Sequence, residues 1–251
     1  MAKRNLVGIA GLVSAIALGA CSAMGQVVPA DEVADAQVPV ALEKHRVVIL
    51  TDMEADPDDT QSLVRLLLYA NEIDIEALVA TTSIWKKENI RPDSIRVTLG
   101  KYGEVYDTLS QHAQGYPSEA ELQDLVMSGQ PGYGMASVGT GRSTEGSDAI
   151  IDLLEAEDER PLWISVWGGA NTLAQALYDI RETRSEAEAE RLISKLRVYT
   201  ISDQDDSGIW MRREFPGLFY IVSPGEYGRS TWTAITHGFP GFEDHISNQW
   251  I

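Results

Sequence analysis

The chain has 251 residues, 44% of them hydrophobic, enough for one sizeable core and one α/β domain. A formal charge of -18 argues against nucleic-acid backbones and anionic membrane surfaces as partners, and leaves sugars and divalent cations open. With Cys21 as its only cysteine, the chain has no internal disulfide.

Residues 1–20 read as a targeting segment: Lys3 and Arg4 make a basic start, and Leu6 to Ala20 is uncharged and mostly apolar, shorter than a comfortable membrane span. The segment ends Leu18-Gly19-Ala20-Cys21, which resembles a bacterial lipobox with Cys21 as the lipidated residue. The alternative is an ordinary signal peptide whose cysteine is incidental. The lipobox reading implies an exported protein, held at the cell envelope through a lipid anchor only. Residues 21–42, with Pro29, Pro39 and scattered acids, have no period and read as a tether, leaving residues 43–251 for the domain.

The apolar run Val47-Val48-Ile49-Leu50 predicts a buried strand, and Leu63 to Tyr69 has helical spacing. Between them, Asp52, Glu54, Asp56, Asp58 and Asp59 crowd one strand-to-helix turn. Helix-end chemistry explains three of these acids: Asp56 as N-cap, Pro57 at the first helical position, and Asp58 and Asp59 in the first turn. Asp52 and Glu54, on the strand side, gain nothing from the helix. Like charges this close need a compensating cation or raised pKa values, and a hard cation, calcium before magnesium, suits oxygen ligands.

Further strands are expected at Ile73–Thr82, Pro161–Trp167, Arg197–Ser202 and Leu218–Ser223. Helices are expected from about Pro92 to His112, after the capping box Ser118-x-x-Glu121, from about Ser147 to Ala156, from Asn171, and after the cap at Ser185. This alternation predicts a mostly parallel central sheet with helices on both faces. The glycine-rich stretch Gly132–Gly146 lacks the preceding strand of a phosphate loop and reads as a flexible pocket-edge loop. At the carboxyl edge of such a sheet, four polar turns converge: the acidic turn, Thr81–Trp85, Trp167–Thr172 and Ser202–Asp206. Asn171, Asp203 and Asp205 are therefore candidate substrate-binding residues. Trp85 and Trp210, placed after strand ends, are candidates for stacking on a sugar, whereas Trp163 and Trp167 share one strand face and read as core or pocket wall. The histidines show no triad or zinc spacing, and there is no nucleophile elbow.

Leu50-Thr51-Asp52 followed by Asp56-Pro57-Asp58-Asp59-Thr60-Gln61-Ser62-Leu63 resembles the nucleoside hydrolase superfamily, in particular the nucleoside-hydrolase-like domain of bacterial cellulose-binding proteins. Trp167-Gly168-Gly169-Ala170-Asn171-Thr172 is similar to the superfamily stretch in which a backbone carbonyl ligates calcium; a tight turn capped by Asn171 is the alternative. The resemblance implies an α/β nucleoside-hydrolase-like fold and a calcium-dependent hydrolase acting on a nucleoside, small sugar or polysaccharide. Within it, Asp52, Asp58, Asp59 and the Trp167 carbonyl would be metal ligands, and Asp58 would contact the sugar. Ungapped spacing assigns the general base to Glu54, whereas aligned strand ends assign it to Asp52, with Glu54 behind it. A carbohydrate-binding protein that keeps the fold without turnover is the alternative function. Superfamily members continue past Asn248-Gln249-Trp250-Ile251, so on this reading the domain is shortened at its C-terminus, with Asp244 a weak substitute for their last aspartate ligand.

Overall fold

The computed structural model describes residues 43–223. The expected targeting segment, Cys21, the tether and Asp244 lie outside the described residues. Among the described residues, no helix is long and apolar enough to cross a membrane.

Six strands form one sheet: β1 (His45–Thr51), β2 (Ile73–Ala80), β3 (Val126–Ser128), β4 (Leu162–Val166), β5 (Leu196–Thr200) and β6 (Phe219–Val222). Their spatial order is β3-β2-β1-β4-β5-β6, and every pairing is parallel. The chain thus winds outward from β1 in one direction, crosses back, and winds outward from β4 in the other. Because parallel crossovers keep one hand, that reversal sends the helices of the two windings to opposite faces.

The two cores bear this out. On one face Ile49, Leu78 and Ala80 pack against α1 (Asp58–Leu67), α2 (Pro92–His112) and α3 (Glu119–Asp124) through Leu63, Leu67, Ile95, Leu99 and Leu122. On the other, Val48, Leu50, Ile164, Val166 and Val198 meet α4 (Glu145–Glu155), α5 (Asn171–Thr183), α6 (Glu186–Ser194) and α7 (Ser207–Glu214). Leu162, Ile164 and Val166 of β4 are buried, while Trp163 and Ser165 between them are half-buried. In β5, Tyr199 stands exposed between the buried Val198 and Thr200.

The capping box at Ser118 is present, with Glu121 returning its carboxylate to the Ser118 backbone N–H at 2.7 Å. The expected N-cap at Asp56 is not: Pro57 takes the cap position of α1 and Asp58 opens the helix, so Asp56 is released from helix-end duty. Nor does Asn171 cap α5, whose cap position is Ala170. The glycine-rich stretch is pinned rather than flexible. Asn171 Nδ2 donates to the Gly132 carbonyl at 2.7 Å, the Met135 N–H donates to Asp206 at 2.8 Å, and the Gly139 N–H donates to Gln175 at 2.8 Å.

Candidate metal and sugar site

Order reversal between β1 and β4 opens a crevice at their carboxyl ends, the usual place for a ligand in an open parallel sheet. Thr51 ends β1 there, and Asp52, 3% exposed, follows. The turn Asp52–Ala55 closes with the Ala55 N–H donating to the Asp52 carbonyl at 2.9 Å, and its third residue, Glu54, has φ +68°, a conformation costly for a residue with a side chain. Asp56 and the first turn of α1 then bring three carboxylates together: Asp56, Asp58 and Asp59 offer ligand atoms all within 4.8 Å of one another.

Opposite stands the turn after β4. The Trp167 and Gly168 N–H groups both donate to the Leu50 carbonyl, at 2.8 and 3.3 Å, which draws the turn onto β1. A Cβ on Gly168 would lie 2.8 Å from Asp52 Cβ, so only glycine lets the two turns meet. A Cβ on Gly169 would likewise fall 2.6 Å from both the Thr82 carbonyl and Asp205 Oδ2. The Trp167 carbonyl accepts a hydrogen bond from Gln204 Nε2, which leaves it one lone pair for another partner.

The acids perturb one another. Burial raises Asp52, against the hydroxyl of Ser83 that donates to its charged form. Burial, then the charge of Asp52, pushes Asp59 up to about 8, although the Thr51 hydroxyl donates to it. Burial and the neighbouring Asp58 push Asp56 up to about 7. Asp52 and Asp59 are in carboxyl–carboxyl contact, which requires a proton or a cation between them. Among the described residues none of these four aspartates is paired with a lysine or arginine. Hard oxygen donors without a cationic side chain fit a hard divalent ion.

A cavity of about 240 Å³ adjoins the cluster, lined by Asp58, Asp59, Ser62 and Arg65 on one side and Ser165, Trp167, Tyr199 and Ile201 on the other. A larger cavity, about 640 Å³, opens between Glu43 and the loop before β4, at the amino edge of the sheet. There Arg160 is consumed by Asp158, Asp74 and the Lys44 carbonyl, which makes it a structural network.

The other expected site residues scatter. Glu54 is drawn to the start of α2, its carboxylate held by Arg91 at 2.8 Å and by the Ser94 hydroxyl, so the geometry does not bring it to the group as a base. Trp85 is 61% exposed on the loop after β2 and does not line the cavity. Trp210 sits in α7 with Phe215 edge-on at 5.6 Å and the Arg181 guanidinium at 5.3 Å, packed against the core instead of open to a sugar. Asp203 is clamped by both terminal nitrogens of Arg212, at 2.9 and 2.6 Å. Asp205 is buried, one oxygen accepting from both the N–H and the hydroxyl of Ser207. Asn171 gives its amide nitrogen to the Gly132 and Gly134 carbonyls.

Sequence reasoning counted Asp56 among the crowded acids but assigned it to the helix cap, and it missed Ser62 and Arg65 and the wall formed by Ser165 and Tyr199. Asp59, Ser62 and Arg65 recur every three residues, the spacing of one helix flank, and that was the available signal.

A sequence model of one protein family, described as the nucleoside hydrolase-like domain of cellulose-binding Sde182, matches residues 46–251. The chain belongs to that family. A solved structure of a nucleoside hydrolase-related hypothetical protein from Saccharophagus degradans, described as associated with carbohydrate metabolism, is 46% identical with a TM-score of 0.70. The match covers 72% of this chain and 44% of that one, so the chain spans less than half the length of this relative. An inosine-guanosine nucleoside hydrolase is 14% identical over 64% of this chain and 49% of its own, with a TM-score of 0.36, too distant to carry an argument. No curated protein matches.

Proposed function

We propose that the carboxylate cluster holds a divalent cation, calcium by its oxygen donors, and that the domain hydrolyses a glycosidic bond of a sugar-containing ligand seated in the adjoining cavity. The observation that carries this is the convergence of Asp52, Asp56, Asp58 and Asp59, none of them ion-paired among the described residues, at the crevice between β1 and β4. Asp56, Asp58 and Asp59 would hold the ion, with Asp52 and the free lone pair of the Trp167 carbonyl beside them. Such an ion would bind a sugar diol and acidify a water.

The protein's own groups do the rest. Asp52, buried and hydrogen-bonded by Ser83, would be the residue to accept a proton from an attacking water. Trp167 and Tyr199 wall off the cavity and offer aromatic surface to a sugar ring. Arg65 lines the cavity on the same helix flank as Asp59 and can donate to a ligand oxygen.

Binding without turnover is the second reading. It is favoured by the cellulose-binding description of the family and by the Gln204 donor already on the Trp167 carbonyl. A panel of nucleosides, aryl ribosides and cello-oligosaccharides assayed with calcium separates the two. Hydrolysis that falls at least a hundredfold in Asp52→Asn, with retention on cellulose unchanged, supports the enzyme. No release of sugar from any member of the panel, with retention intact, leaves only the binding reading. Calcium raises the melting temperature of the parent and not of Asp59→Asn if the ion sits where proposed. Export and lipidation at Cys21 complete the proposal: Cys21→Ala abolishes incorporation of labelled palmitate in a bacterial host.

A further inference from the structure

The cavity beside the acids draws all its charge from one helix. Its sheet-side wall, with Ser165, Trp167 and Tyr199, is uncharged, while α1 contributes Asp58 and Asp59 from its first turn and Arg65 from its last. A helix rises about 1.5 Å per residue, so Arg65 stands about 9 Å along the axis from Asp59. In a chain where Asp and Glu outnumber Lys and Arg by 38 to 20, a guanidinium without a carboxylate is the exception. Among the described residues, Arg65 and Arg191 are the arginines whose side chains make no hydrogen bond, ion pair or ring contact. Arg191 lies on α6, on the other face of the sheet, and Arg65 lines the cavity. A guanidinium presents a planar fork of donors that matches a carboxylate or a phosphate.

We infer that the cavity takes an acidic sugar and that Arg65 selects it. The guanidinium meets a ring substituent that is a carboxylate, as in a uronic acid, or a phosphate, while the sugar hydroxyls lie at the acids. This rests on the sugar reading of the cavity given above. The separation along α1 keeps the selected group away from the bond at the acids, so Arg65 sets specificity and takes no part in cleavage. At about one Debye length, ~8 Å at physiological salt, repulsion between the acids and that substituent is largely screened. Trp167 Nε1 donates to Ser165 Oγ at 3.0 Å, which holds the indole as a platform for the ring and leaves Ser165 its own proton to donate. A cation in the last turn also suits the helix dipole, but that role bears on stability and leaves ligand choice untouched.

The test is calorimetric titration of the full chain, in calcium, with cellobiose, cellobiouronic acid and cellobiose 6′-phosphate. The proteins are the parent, Arg65→Gln, Arg65→Lys and, as the loss of one charge elsewhere, Arg191→Gln. The parent binds an acidic disaccharide at least about tenfold tighter than cellobiose, and the tighter of the two acids identifies the group as carboxylate or phosphate. Arg65→Gln binds all three alike and keeps the parent's affinity for cellobiose. Arg65→Lys recovers only part of the preference, because an ammonium lacks the fork, and Arg191→Gln keeps all of it. Equal binding of neutral and acidic disaccharides by the parent overturns the inference and leaves the sugar site standing. So does a preference that Arg65→Gln retains, that Arg65→Lys restores in full, or that Arg191→Gln loses. Binding of none of the three removes the sugar reading of the cavity, and the inference falls with it.

Discussion

Gly168 leaves the crevice no slack, because the first atom of any side chain placed there collides with Asp52. Gly168→Ala should cost about 1–3 kcal/mol by overpacking and weaken cation affinity at least tenfold. Thermal unfolding and a calcium titration check the two effects separately. Glu54 makes the opposite case. Its left-handed backbone suits asparagine better than glutamate, while its partners Arg91 and Ser94 lie in exposed surroundings, where such pairs contribute little. Glu54→Asn should therefore shift stability by no more than about 0.5 kcal/mol and leave cation affinity unchanged. A large loss of affinity in that variant would return Glu54 to the site.

Among the elements, α5 holds the crevice from behind. Asn171 fastens the glycine-rich stretch through two carbonyls, and its own Oδ1 is buried without a partner. Asn171→Ala should cost about 1–3 kcal/mol and speed hydrogen exchange at Gly134–Ser137 more than anywhere in β1. The flexible loop expected for this stretch fails for a reason local reading cannot supply: its anchors Asn171, Gln175 and Asp206 lie 36–71 residues away in sequence. Distance in sequence likewise hid β3, three residues long and defined only by its pairing with β2. The helix α7 was hidden differently, since it is short and opens on the acidic run Asp203–Asp206, which reads as loop. By contrast, five of the six strands and the crevice itself were legible. Apolar runs and strand-to-helix turns are local patterns, and a parallel sheet sends those turns to one edge.

Over the whole molecule, the raised carboxyls tie stability to acidity. Asp56 and Asp59 titrate in the folded state near 7 and 8, above the ordinary aspartate value of 3.8. Their contribution is complete below about pH 4 and is lost as pH rises through 7 to 8. In a chelating buffer the melting temperature should fall between pH 5 and pH 8.5. In millimolar calcium the fall should vanish, because the ion takes the place of the carboxyl protons, which are released to solvent. A pH profile identical in both buffers would remove the ion from this turn.

Within the sheet the two windings pair along the border of β1 with β4, and the aspartates stand at the top of that border. An ion held as proposed would touch Asp59 on one winding and the Trp167 backbone on the other, as a clasp closes two halves of a book. Emptying the clasp should let the halves ease apart along that line, earlier than either comes undone within itself.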